Sequence, residues 1–233
     1  MHNIEEQAIK TYQANMAFLL ENNPRVHDLV ALYDLGLETK YELEYKDGYF
    51  DVIELASGDF LYGSNSNEHA LQAAASINLK KTDMLFEGIQ DWYTTKADIE
   101  HIKKRALNKS ERLNDVFAIM HEAMKLAPRD TLMKSIEKFI FIGAGLGVHI
   151  AQIHNKIHAK EYLIIEDDLE LFRLSLFVMP YHELVHDAQV YISVGEDDNS
   201  FFETMAYFLE GSFYLNRYLK YYKLPTHSDK KMK

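Results

Sequence analysis

The stretch KFIFIGAGLGVHIAQIHNKIHAKEYLIIEDD, from Lys138 to Asp168, admits few folds. KFIFIG is apolar throughout, as a strand covered on both faces must be. Gly143, Gly145 and Gly147 then supply conformations that other residues reach only with strain. A helical pattern follows, with Ile150, Ile153 and Ile157 on one side, and then a second apolar run, YLIIED. LELFRLSLFVM reads as a second helix stopped by Pro180, and AQVYISVG as a third strand. This order predicts a right-handed βαβαβ unit, half of a doubly wound, Rossmann-like α/β sheet.

The chain before this unit has a different period. Ile4, Ala8, Tyr12, Met16, Leu19 and Leu20 recur at helical spacing. Asn23-Pro24 ends that helix and opens another, which carries Val26, Leu29, Val30 and Tyr33 inward and stops at Gly36. KYELEYKDGYFDVIEL alternates around Asp47-Gly48, the signature of a hairpin, and DFLYG is a candidate third strand. Residues 65–128 read as helices, the clearest carrying Leu113, Phe117, Met120 and Met124. The division expected is residues 1–130, helical with a small antiparallel sheet, and residues 131–233, the α/β unit with two C-terminal helices hinged at Gly211. The tail from His227 is polar and expected to fray.

In a dinucleotide fold, glycines after the first strand let a phosphate reach the amides at the helix start, and an acid at the tip of the second strand holds the ribose. Gly143, Gly145, Gly147 and Glu166 occupy those places and are the candidate cofactor-binding residues. The pattern is G-x-G-x-G, with Val148 where a third glycine would follow in the dinucleotide fingerprint. A nucleotide, a nucleotide-sugar or S-adenosylmethionine is therefore the candidate ligand. The competing reading is that the glycines let strand, turn and helix pack closely.

Other motifs carry less. His182-Glu183-Leu184-Val185-His186 matches the zinc-protease pattern, but it is squeezed between Pro180 and a strand and reads as a connector. His149, His154 and His158 are expected on the polar face of the crossover helix. The formal net charge of −11 argues against nucleic acid as a partner. The chain has no cysteine, which removes disulfides and thiolate chemistry. The N-terminal residues lack a signal-peptide core, and no apolar run reaches the roughly 20 residues that span a bilayer. A cytoplasmic location, away from membranes, is expected. The aromatics Phe201, Phe202, Tyr207, Phe208, Phe213, Tyr214, Tyr218, Tyr221 and Tyr222 crowd the C-terminal elements, as core or as a docking face.

FIFIGAGLGVHI followed by YLIIEDDLELFRLSLF, with FLEGSFYLNRY further on, resembles the N-terminal part of the motility accessory factor family. These are bacterial flagellin glycosyltransferases that attach nonulosonic acids, of the pseudaminic or legionaminic type, to serine and threonine. The resemblance is strongest over residues 139–195. It implies a domain serving acceptor or partner recognition, whose partners are flagellin or the remainder of a larger glycosyltransferase chain, with oligomer formation left open. Catalysis in the family is assigned to a central domain with a glycine-proline-serine turn that this sequence lacks, so no catalytic residue carries over. The chain is accordingly expected to be an N-terminal domain of a longer enzyme or a short relative. An independent Rossmann-like enzyme that binds S-adenosylmethionine or a nucleotide is the alternative that Gly143, Gly145, Gly147 and Glu166 leave open.

Overall fold

The computed structural model describes residues 2–36, 39–63, 65–86, 131–211 and 218–227. Two helices open the chain, α1 (His2–Asn22) and α2 (Pro24–Asp34). Asn23 caps α2 by accepting a hydrogen bond from the Val26 amide, and Pro24 begins the helix where its missing N–H costs nothing. β1 (Tyr41–Lys46) and β2 (Tyr49–Glu54) form the hairpin, with Asp47 and Gly48 both at positive φ (49° and 93°) as a tight primed turn requires. The stretch DFLYG does not become a strand: it makes only a bridge from Phe60 to Ile53. α3 (Ser66–Ser76) follows. The helix expected around Leu113, Phe117, Met120 and Met124 lies outside the described residues.

The second half is the wound sheet. β3 (Lys138–Ile142), α4 (Val148–Ile157), β4 (Glu161–Glu166), α5 (Leu169–Ser175), the short α6 (Tyr181–Leu184), β5 (Gln189–Val194), α7 (Asp198–Glu210) and β6 (Lys220–Lys223) alternate as the pattern requires. The strands pair in parallel, in the order β5-β4-β3-β6, and an antiparallel bridge from Leu85 to Lys220 lies on β6 as well. β3 and β4 are buried at every position, which explains their unbroken apolar runs. β6 corrects the expectation of a second C-terminal helix after Gly211. LKYYK lends itself to the sheet because tyrosines suit a pleated surface and the flank of β3 away from β4 needs a partner.

Period-two alternation divides the core. Phe139 and Phe141 of β3 with Tyr162 and Ile164 of β4 face α1, α2, α4 and α5, in a cluster that includes Leu19, Val26, Val30, Ile150, Ile153 and Phe172. Ile140, Ile142, Leu163 and Ile165 face the opposite way, onto Phe201 and Phe208 of α7. Helices from both halves of the sequence therefore share one core. Asn15, buried in α1, reinforces this by donating to the carbonyls of Leu176 and Met179 (both 2.8 Å).

Buried charge serves the helix ends. Lys138, at the amino end of β3, donates to the carbonyls of Phe208 and Gly211 at the C-terminus of α7 and lies 3.2 Å from the Glu161 carboxylate. Burial pulls its ammonium below the usual lysine range, and Glu161 opposes that. Lys156, an exposed residue, also caps a helix end, donating to the carbonyls of Ala74 (2.6 Å) and Ile77 (2.7 Å) at the end of α3.

Candidate functional site

The chain leaves β5 at one edge of the sheet and re-enters at β6 beside β3, on the far side of β4. The crossover α7 covers the face opposite to α4. The carboxyl ends of β3 and β6 therefore form the topological switch point, where open α/β sheets take their ligands. The loop at the end of β3 is the glycine turn, Gly143 to Gly147, and Glu166 ends β4 beside it. Gly143, Gly145, Gly147 and Glu166 are thus brought together at one edge.

All three glycines have positive φ: 94°, 48° and 74°. The approach they permit comes from the chain itself. A Cβ on Gly143 would lie 2.9 Å from the Cβ atoms of both Leu224 and His227. On Gly145 it would meet the Tyr62 hydroxyl at 2.6 Å and Leu224 Cδ2 at 2.7 Å, and on Gly147 it would meet Met179 Cβ at 2.5 Å. The turn's amides are engaged as well. Ala144 and Gly145 donate to Glu166 Oε2 (2.8 and 3.1 Å), and Leu146 donates to the Tyr62 hydroxyl (2.9 Å). Asp168 donates to Glu166 Oε1 at 3.1 Å. The Glu166 carboxylate therefore sits where successive amides converge, the geometry that elsewhere cradles a phosphate.

Glu166 is buried, and burial pushes its carboxyl above the usual range. The amides of Asp168, Gly145 and Ala144 and the nearby His227 oppose that shift. His227 Nε2 lies 3.8 Å from both Glu166 Oε1 and Asp167 Oδ2. A small cavity of about 180 Å³ adjoins these groups, bordered by Tyr41, Asp168 and Thr226. The hairpin and the stretch after it close the edge: Val52 and Tyr62 pack on Leu146, Leu174 and Leu224.

Other sequence-level candidates fall elsewhere. His182 and His186 lie on a single short turn and its exit; His182 Nδ1 is 3.0 Å from Asn15 Oδ1, and Glu183 is exposed. Among the described residues no group of three or more His, Asp or Glu side chains is placed to hold a metal ion. Two helix histidines are buried, contrary to the polar-face expectation. His154 Nδ1 pairs with the Tyr162 hydroxyl at 2.8 Å. His149 packs between the rings of Phe141 and Tyr222, and neither ring nitrogen makes a well-formed hydrogen bond. Burial pulls His149 down to about 4, only partly offset by the Gly143 backbone. Tyr62, Met179, Leu224 and His227 escaped the sequence reading because no local pattern marks them. His227 in particular is buried, although its polar neighbours read as a frayed tail.

A second concavity, of about 530 Å³, runs beside β5, the edge strand among the described residues, between the α1–α2 junction and α7. Phe18, Asn23, Arg25, Tyr191, Glu203 and Tyr207 contribute to its wall. By alternation, Val190, Ile192 and Val194 turn their backbone groups away from β4 and toward this groove. Asn23 donates to the Ile192 carbonyl (3.3 Å) and Arg25 to that of Val194 (3.4 Å), while Arg25 also pairs with Glu196 at 3.3 Å. Phe202 and Tyr207 of α7 are 67% and 68% exposed, unusual for large aromatic side chains.

The model of a family described as Glycosyltransferase Maf N-terminal domain matches residues 11–223. The solved structure of the Maf glycosyltransferase from Magnetospirillum magneticum AMB-1 shares the fold, with a TM-score of 0.61 at 15% sequence identity. The match covers 94% of this chain and 33% of that one, so the chain spans about a third of the length of the Maf structure it matches. No curated protein matches the sequence. No helix among the described residues is long and apolar enough to cross a membrane.

Proposed function

This chain belongs to the Glycosyltransferase Maf N-terminal domain family, and from that membership we propose that it is the recognition domain of a flagellin glycosyltransferase. The sugar would be a nonulosonic acid, the acceptors serine and threonine, and the location the bacterial cytoplasm. Transfer would fall to another part of a longer polypeptide. The observation that carries this reading is the family match over residues 11–223, in a chain spanning about a third of the Maf structure.

The surface best suited to an acceptor is the groove beside β5. Asn23 and Arg25 already hold the carbonyls of Ile192 and Val194, so an extended segment would pair with the first half of β5, at Val190, where the strand is not fully buried, as many peptides pair with a strand edge. Tyr207, exposed at its wall, would give such a segment an aromatic surface to lie on. The experiment combines this chain with purified flagellin, and separately with flagellin and the activated sugar. Flagellin should bind, Tyr207→Ala should weaken binding by about tenfold or more, as loss of an aromatic anchor does, and mass spectrometry should find no sugar transferred. Sugar transfer by this chain alone would refute the division of labour. Absence of flagellin binding would refute the recognition role.

A further inference from the structure

Brought together at the switch point are three glycines, converging amides and a buried carboxylate, yet the space above the turn is taken by the chain's own side chains. Leu224 and His227 stand against Gly143, and Tyr62 and Leu224 against Gly145, at distances that leave no room for a methyl group. This segment is fixed by backbone as well as side chains. The Leu224 amide donates to the Ile142 carbonyl (2.8 Å), extending the β6–β3 pairing beyond β6, and the His227 amide donates to the Leu224 carbonyl (2.9 Å).

We propose that the glycine turn is ligated from within: the Glu166 carboxylate takes the place of an external phosphate, and Leu224–His227 forms a strap latched into the switch-point crevice. The turn then acts as an intramolecular clasp. It joins three segments distant in sequence: the Tyr62 region after the hairpin, the β3–α4 turn, and the stretch that follows β6. Glycines are needed because the side chains of Leu224, His227 and Met179 and the Tyr62 hydroxyl approach the backbone. The convergent amides are needed because a buried carboxylate is costly without donors. The strap is thereby held in one position relative to the sheet.

The clasp makes the turn's amides slow to exchange with solvent and indifferent to phosphate. In the parent protein, the amides of Ala144, Gly145 and Leu146 should exchange as slowly as those of β3. Inorganic pyrophosphate, cytidine monophosphate and S-adenosylmethionine, each to millimolar concentration, should leave their chemical shifts unchanged. Glu166→Ala should speed exchange at Ala144 and Gly145 by roughly fivefold or more, the scale of a lost hydrogen bond, and change Leu146 less, because Tyr62 still accepts from it. Leu224→Ala tests the strap in a background that keeps the carboxylate. It should speed exchange at Gly145 and His227 while β4 and β5 stay protected, which also covers the case that Glu166→Ala does not fold. Loop-like exchange in the parent, or a saturable shift at Gly145 or Leu146 with any of the three probes, would overturn the proposal. So would unchanged exchange at Gly145 in Leu224→Ala.

Discussion

Two concavities lie on the same sheet, and they differ in who occupies them. At the carboxyl end of β3, glycines, amides and a carboxylate form what looks in sequence like a ligand site, and the chain's own Tyr62, Leu224 and His227 fill it. Along the edge of β5 the sequence offers only its crowded aromatics, with no motif that names a ligand, yet a groove of about 530 Å³ stands beside an exposed Tyr207. A glycine motif reports that something approaches the backbone closely. It does not say whether that something comes from outside. Substitutions should separate the two regions: changes at the turn cost stability, whereas changes in the groove cost binding.

The largest effect is expected at Gly147. A valine there would place Cβ 2.5 Å from Met179 Cβ and 2.8 Å from its Cγ, on a backbone with φ at 74°. The obstructing atom is the root of a side chain, so it cannot swing aside. Strain at the left-handed backbone and overpacking together should cost about 3–5 kcal/mol. Denaturant unfolding of Gly147→Val measures this. A loss below about 1 kcal/mol would mean that the turn is looser than the geometry implies and that the contrast between the two regions is overdrawn.

A second test uses acidity beneath the turn. His149 is buried between Phe141 and Tyr222 and titrates at about 4 in the folded protein, against about 6.5 when exposed. Its folded value is depressed, so its contribution to stability is complete above pH ~6.5 and is lost as pH falls toward ~4, by about 3 kcal/mol in full. Glu166, whose carboxyl is raised by burial, runs the other way: its protonation on acidification favours the folded state. The difference between parent and His149→Phe isolates the histidine. The parent should lose stability relative to the variant across that window, and parallel pH profiles would show that His149 is not held neutral.

β3 and β4 of the βαβαβ unit were legible because burial on both faces leaves an uninterrupted apolar run, as in KFIFI and YLII. The hairpin was legible because Asp47-Gly48 satisfies a turn that few residue pairs can make. Lys220–Lys223 was not, because four residues are too few for a period to show, and the partner that makes them a strand lies far back in the chain. For the site, Gly143, Gly145, Gly147 and Glu166 could be named from spacing alone. Their occupants could not: Tyr62 and Leu224 meet over the turn only because the hairpin and β6 converge on one sheet edge. The same limit applied to His149, where a polar residue at a helical position gave no sign that aromatic rings enclose it.

The smallest effect concerns one oxygen atom. The Tyr62 hydroxyl accepts from the Leu146 amide at 2.9 Å, inside a cluster with Val52, Leu174 and Leu224. Tyr62→Phe keeps the ring and its packing and removes the hydroxyl, and with it the acceptor for Leu146. The buried amide is then unpaired, which costs about 1–2 kcal/mol, more than the net worth of an ordinary hydrogen bond and less than a cavity. Unfolding in denaturant should register that loss. Hydrogen exchange should confine the acceleration to Leu146, leaving Ala144 and Gly145 on their carboxylate. If all three amides accelerated together, the turn would be held as one cooperative unit rather than by two separate acceptors. If none did, Leu146 would already be bonded to something other than tyrosine in solution, and the distinction between a filled turn and an open groove would lose its firmest contact.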